Sequence, residues 1–172
     1  ARCIESCLLH GVGSKITVLD NSEDQHPIKM LKEQYPTSID WYFSEQTLGY
    51  AKNFHRAFSV CKSRFLVALH DDDRITKNFC VDQLAILKKH KAASAISCNG
   101  FFINDKGEKT KLVIPWVEND EEVRIFETND QYVEHKYSIA GGCIPFSPML
   151  FDLNKAHFIK DIILQRGEDF GQ

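Results

Sequence analysis

Short apolar, β-branched blocks alternate along this chain with stretches whose apolar residues fall at helical spacing. Residues 15–19 (Lys-Ile-Thr-Val-Leu) predict a strand that ends in Asp20-Asn21-Ser22. Residues 27–34 suit a helix with Pro27 in its first turn and Pro36 limiting its end. Residues 39–43 predict a second strand. Ala51, Phe54, Phe58 and Cys61 then mark one face of a helix over 48–61. Residues 64–69 form a third, apolar run that reads as a buried strand, and it leads directly into His70-Asp71-Asp72-Asp73. Thr76 is placed to cap a helix reaching about His90, with Leu84 and Leu87 inward. Residues 94–103 read as one more strand, closed by the turn signal Asn104-Asp105-Lys106-Gly107.

This alternation predicts an α/β fold with a mostly parallel central sheet flanked by helices. Beyond Ile103 the pattern loosens. A strand is expected within 112–117, a helix over 129–137, a Gly- and Pro-rich loop leading into a strand over 138–151, and an amphipathic helix over 154–164. At 172 residues the chain has room for a single domain. We divide that domain into a regular half (1–103) and a smaller, mixed half (104–172). Residues 3–9 read as the end of a helix.

Composition narrows the field mainly by exclusion. The net charge is −3, and no local run of Lys and Arg stands out, so a nucleic-acid partner is not expected. No stretch of about 20 apolar residues is present to span a membrane. The six cysteines form no C-x-x-C pair, so the spacing of a structural zinc site is missing and reduced, buried thiols are expected. A cytoplasmic protein, at most peripheral to the inner face of a membrane, fits that usage.

Candidate chemistry collects at strand ends. Three successive carboxylates at the mouth of a hydrophobic strand repel one another and lose hydration unless a cation or hydrogen-bond donors compensate. Ligands of open α/β sheets bind at the carboxyl ends of strands, and a hard divalent ion bridging protein to phosphate oxygens would use this placement. In an extended strand Asp71 and Asp73 would share one side, with Asp72 on the other. Asp20 repeats the pattern of an acid ending a strand. Gly49 permits close backbone approach at a helix start, and Lys52 adds a cation there, without P-loop spacing. Gly167-Glu168-Asp169 could bring a carboxylate over a substrate as general base. Each motif alone is equally compatible with an ordinary polar turn.

Taken in order, residues 18–22 (Val-Leu-Asp-Asn-Ser), 48–53 (Leu-Gly-Tyr-Ala-Lys-Asn), 69–73 (Leu-His-Asp-Asp-Asp) and 167–169 (Gly-Glu-Asp) resemble the motif series of the family 2 glycosyltransferases of GT-A fold. The resemblance implies transfer of a sugar from a nucleoside-diphosphate sugar, with a UDP-sugar expected, to a hydroxyl of a glycan or lipid-linked acceptor. Inversion and a divalent ion, Mn2+ or Mg2+, go with it. Asp20 would meet base or ribose, with Gly49, Lys52 and Asn53 shaping the nucleotide site. Asp73 and Asp71 would hold the metal, and Asp71 and Asp72 stand on the nucleotide side, Asp72 clear of the ion. Asp169 would be the base and Glu168 its support, while Gly141-Gly142-Cys143 matches an acceptor-side loop. His70 stands where many relatives carry another Asp. The family's opening strand and the stretch after its base are expected to lie outside these residues. Two other readings stay open on the residues alone: a sugar-phosphate nucleotidylyltransferase, and a non-catalytic magnesium- or nucleotide-binding module.

Overall fold

The structure is a computed structural model, which describes residues 1–9, 14–35, 37, 39–114, 123–128, 130–132, 134 and 147–156. Four helices, α1 (Arg2–Leu8), α2 (His26–Gln34), α3 (Tyr50–Val60) and α4 (Phe79–Lys89), alternate with strands in its first part. The strands are β1 (Ile16–Leu19), β2 (Ile39–Tyr42), β3 (Phe65–Ala68), β4 (Ala95–Ser97), β5 (Gly100–Ile103), β6 (Lys109–Ile114) and β7 (Met149–Asp152).

The α/β alternation is as the periodicity implies, but the pairing is not mostly parallel among the described residues. β1 and β2 pair in parallel, from Ile16 opposite Ile39 to Leu19 opposite Tyr42. β3 and β4 run in the same direction without touching, because β7 lies between them and pairs with both antiparallel. The apolar pattern of β7 marks it as a strand; its direction depends on how the chain returns, which no local pattern records. β5 and β6 form an antiparallel hairpin.

Three further expectations change. Residues 94–103 form two strands rather than one, with the chain turning away at Cys98 and Asn99 so that β5 can pair with β6. Thr76 does not cap α4. Asn78 is the N-cap, without a side-chain bond, and Thr76 only lends its carbonyl to the Phe79 N–H at 3.1 Å. β3 is half-buried along its length rather than fully enclosed. Of the described cysteines only Cys80 is buried; Cys3, Cys7, Cys61 and Cys98 are half-buried.

The core sits where α3 crosses the β3-β7-β4 sheet. Phe58 and Phe151, each 1% exposed, meet edge to face with ring centroids 5.3 Å apart, and Phe54 stands 5.2 Å from Phe58. Leu66, Ala68, Ala95 and Met149 pack around them. The helical spacing of Phe54 and Phe58 therefore does what the pattern predicts.

Asp152 fastens the end of β7. Its buried carboxylate accepts from Arg64 Nε at 3.1 Å and Nη2 at 2.9 Å, and lies 3.3 Å from Lys155 Nζ. The Arg64 hydrogen bonds are the main reason its pKa is held down to about 2, from an ordinary 3.8. A depressed carboxylate contributes stability that is complete above the unfolded value and is lost as pH falls through the folded one. Asp152 thus contributes fully above about pH 4 and loses its share as pH falls towards 2. The expected result for Asp152→Asn is lower stability at neutral pH and a flatter stability profile between pH 4 and 2, read by denaturant melts across that range.

Candidate active site

β1 delivers Asp20 to the sheet edge, where its N–H continues the ladder to the Tyr42 carbonyl at 2.9 Å. Asp20 is 6% exposed. Its Oδ1 accepts from Ser22 Oγ at 2.6 Å and from the Ser22 N–H at 3.3 Å, a turn that holds the carboxylate in place. Its Oδ2 is buried and receives no donor. A buried carboxylate oxygen without a donor costs about 1–3 kcal/mol of desolvation, and more when charged, so the position favours a ligand carrying an N–H or O–H.

Asn21 joins this edge to α3. Its Nδ2 donates to the Leu48 carbonyl and its Oδ1 accepts the Leu48 N–H, both at 2.7 Å. Gln25 makes a parallel tie, donating to the Ser44 carbonyl at 2.6 Å. These bonds set the start of α3 beside Asp20. Gly49 is the N-cap of that helix, with no side-chain cap and ordinary extended backbone (φ −62°, ψ 157°). Nothing lies within 4 Å of where its Cβ would stand. Gly49 therefore leaves open space at a helix N-terminus instead of allowing a tight approach within the chain. The uncapped first-turn amides and the helix dipole suit an anion there.

On α3, Lys52 is exposed, while Asn53 is half-buried with a buried Oδ1 that no donor reaches. Arg56, one turn further on, donates to the Asp20 carbonyl at 3.0 Å. The sequence motif included Asn21 and Ser22 without giving either a role of its own, and it did not include Arg56. The i, i+3 spacing of Asn53 and Arg56, two polar residues on one side of an amphipathic helix, was the available signal for Arg56.

The aspartate run is not extended. β3 ends at Ala68, and the Asp73 N–H bonds the His70 carbonyl at 3.3 Å, closing a turn. The strand alternation that would put Asp71 beside Asp73 therefore does not operate here. Instead His70, Asp72 and Asp73 bring ligand atoms within 4.8 Å of one another, with Asp73 half-buried and the other two exposed. Asp71 is exposed and stands outside this trio. Two carboxylates and an imidazole at that spacing suit a six-coordinate ion, whose opposite ligands lie about 4.2 Å apart for Mg2+.

Three neighbours hold the turn. Ser147 Oγ accepts the His70 N–H at 2.9 Å, Cys3 Sγ donates to the His70 carbonyl at 3.2 Å, and Ser6 Oγ accepts the Ile75 N–H at 3.3 Å. Arg74 packs over Gly107 in the β5–β6 turn, where φ is +81° and a Cβ would collide with the guanidinium. The neighbouring Cys3 holds the Cys7 thiol down at about 7, and Cys7, with burial, pushes Cys3 up.

Glu168, Asp169 and the Gly141-Gly142-Cys143 loop lie outside the described residues. The sequence model of Glycosyl transferase family 2 matches residues 1–158, most of the chain. The chain belongs to that family. Membership carries glycosyl transfer between a nucleotide-sugar donor and an acceptor, and an α/β GT-A fold. It favours a transferase over a nucleotidylyltransferase or a non-catalytic module. No curated protein matches the chain. Glu168 and Asp169 stand beyond the matched span. Among the described residues no helix is long and apolar enough to cross a membrane.

Proposed function

We propose that this glycosyltransferase moves a sugar, with inversion, from a UDP-sugar to a hydroxyl of a glycan or lipid-linked acceptor, using Mn2+ or Mg2+. The observation that carries the donor assignment is the bare Asp20 Oδ2, buried at the end of β1. Uracil offers a ring N–H to such an acceptor, and ribose offers hydroxyls. Asn53 Oδ1 is a second buried acceptor on the neighbouring helix, and Lys52 with the uncapped start of α3 supplies positive potential for diphosphate.

Asp73 is common to the ligand pair that the family resemblance implies and to the trio of the turn. In this reading Asp73, Asp72 and His70 hold the ion, and Asp71 faces ribose. The ion supplies charge neutralisation to the departing diphosphate. Asp169 takes the proton of the acceptor hydroxyl, and Glu168 supports the acceptor. The acceptor oxygen bonds the anomeric carbon as the bond to diphosphate breaks, with the electron pair leaving on the diphosphate.

Binding and transfer assays with a panel of UDP- and GDP-sugars test the reading. UDP-sugars should bind with either ion present and turn over only then, so that chelation by EDTA stops transfer and added Mn2+ restores it. Failure of every nucleotide sugar to bind with Mn2+ or Mg2+ would falsify it. Asp169→Asn should slow transfer at least about a hundredfold, the low end for general-base catalysis, with donor affinity unchanged. Equal loss of donor binding would remove Asp169 from the role of base.

A further inference from the structure

Cys3 and Cys7 lie one helical turn apart on α1, at the i, i+4 spacing that puts two side chains on one face. Both thiols are free and half-buried, and each acts on the other's acidity. Cys3 Sγ also stands 3.2 Å from the carbonyl oxygen of His70. Nothing in the proposed transfer uses either sulfur.

We propose that Cys3 and Cys7 form a binding site for one thiophilic divalent cation of the Zn2+ or Cd2+ class, separate from the ion of the aspartate turn. Geometry separates this from a disulfide. Cβ atoms at i, i+4 are about 5–6 Å apart on a helix, whereas a disulfide needs them about 3.5–4.5 Å apart. Oxidation would therefore have to unwind α1. A bridging ion does not. With metal–sulfur bonds of about 2.3 Å, two ligands of a tetrahedral ion sit roughly 3.7 Å apart, a separation that side chains at i, i+4 can reach by turning towards each other.

Other donors are at hand. The His70 carbonyl oxygen already lies against Cys3, and water can complete the set. Binding forms two metal–sulfur bonds and releases to solvent whatever thiol protons remain on Cys3 and Cys7, with no change of oxidation state. Sulfur selects against Mg2+ and Mn2+, which belong with the carboxylates of the turn. Filling the site also withdraws the Cys3 S–H from the His70 carbonyl, so the two ion sites touch through one backbone group.

The full chain titrated with Cd2+ in excess Mg2+ tests the site, with the ultraviolet charge-transfer band of cadmium thiolates as readout. One equivalent should bind. Cys3→Ser and Cys7→Ser should each lose the band and weaken binding at least tenfold, while Cys61→Ser and Cys98→Ser keep both. Serine at position 3 can still donate to His70, which guards the fold of that variant. In the unaltered protein, Cd2+ should also shield Cys3 and Cys7 from alkylation, mapped by mass spectrometry. A band that survives the Cys3→Ser, Cys7→Ser double variant, shielding at other cysteines instead, or no Cd2+ binding overturns the proposal.

Discussion

Asp73→Ala is expected to slow metal-dependent transfer about a thousandfold. The estimate takes the several kcal/mol that a divalent ion supplies to developing charge, about 4 kcal/mol, and converts it at 1.36 kcal/mol per tenfold. Asp73 is the half-buried member of the trio, and its N–H closes the turn on His70, so its carboxylate is the best fixed of the three. Its neighbours separate two geometries. In the observed turn, Asp72→Ala should weaken Mn2+ binding more than Asp71→Ala, because Asp72 shares the cluster and Asp71 does not. An extended strand would reverse that order. Manganese titrations of the three variants, followed by initial rates at saturating ion, decide between them.

Phe151→Ala should destabilise the fold by about 3–5 kcal/mol, the range for deleting a buried phenyl ring. Total stabilities are commonly about 5–15 kcal/mol, so this one change removes a large part. Phe151 is 1% exposed, touches Phe54 and Phe58 edge to face, and sits on the strand that joins β3 to β4. A cavity there loosens α3 and both outer strands together. Urea unfolding of wild type and variant measures the difference. A loss under about 1 kcal/mol would mean that the site collapses around the missing ring.

Elements governed by local periodicity were legible in the sequence. The helix of Phe54 and Phe58, the strands ending at Leu19 and Ala68, and the turn at Asn104-Asp105-Lys106-Gly107 all form where apolar spacing and turn chemistry place them. What local pattern does not carry is partner choice. The position of β7 between β3 and β4 is a long-range outcome, and its short apolar run reads the same in either direction. In the candidate site, residue types at strand ends pointed to Asp20 and the aspartate run, and the family match supports glycosyl transfer. Which aspartates share a side was not legible, because it depends on whether the chain leaves β3 extended or turned. The His70–Asp73 bond, backed by Ser147 from far along the chain, makes it a turn. The roles of Asn21 and Arg56 were not legible for a related reason: their bonds reach backbone N–H and carbonyl groups, which nearly every residue offers.

The insertion of β7 also bears on how the protein is made. Arg64 and its partner Asp152 are 88 positions apart, and among the described residues β3 and β4 are bridged only by the strand that ends at Asp152. A ribosome releases β3 and β4 well before β7, since synthesis runs at about 5–20 residues per second. In that interval two strand edges wait without their common neighbour, in the state most open to pairing with another nascent chain. The described β3-β7-β4 pairing therefore cannot form until residues 149–152 have left the ribosome.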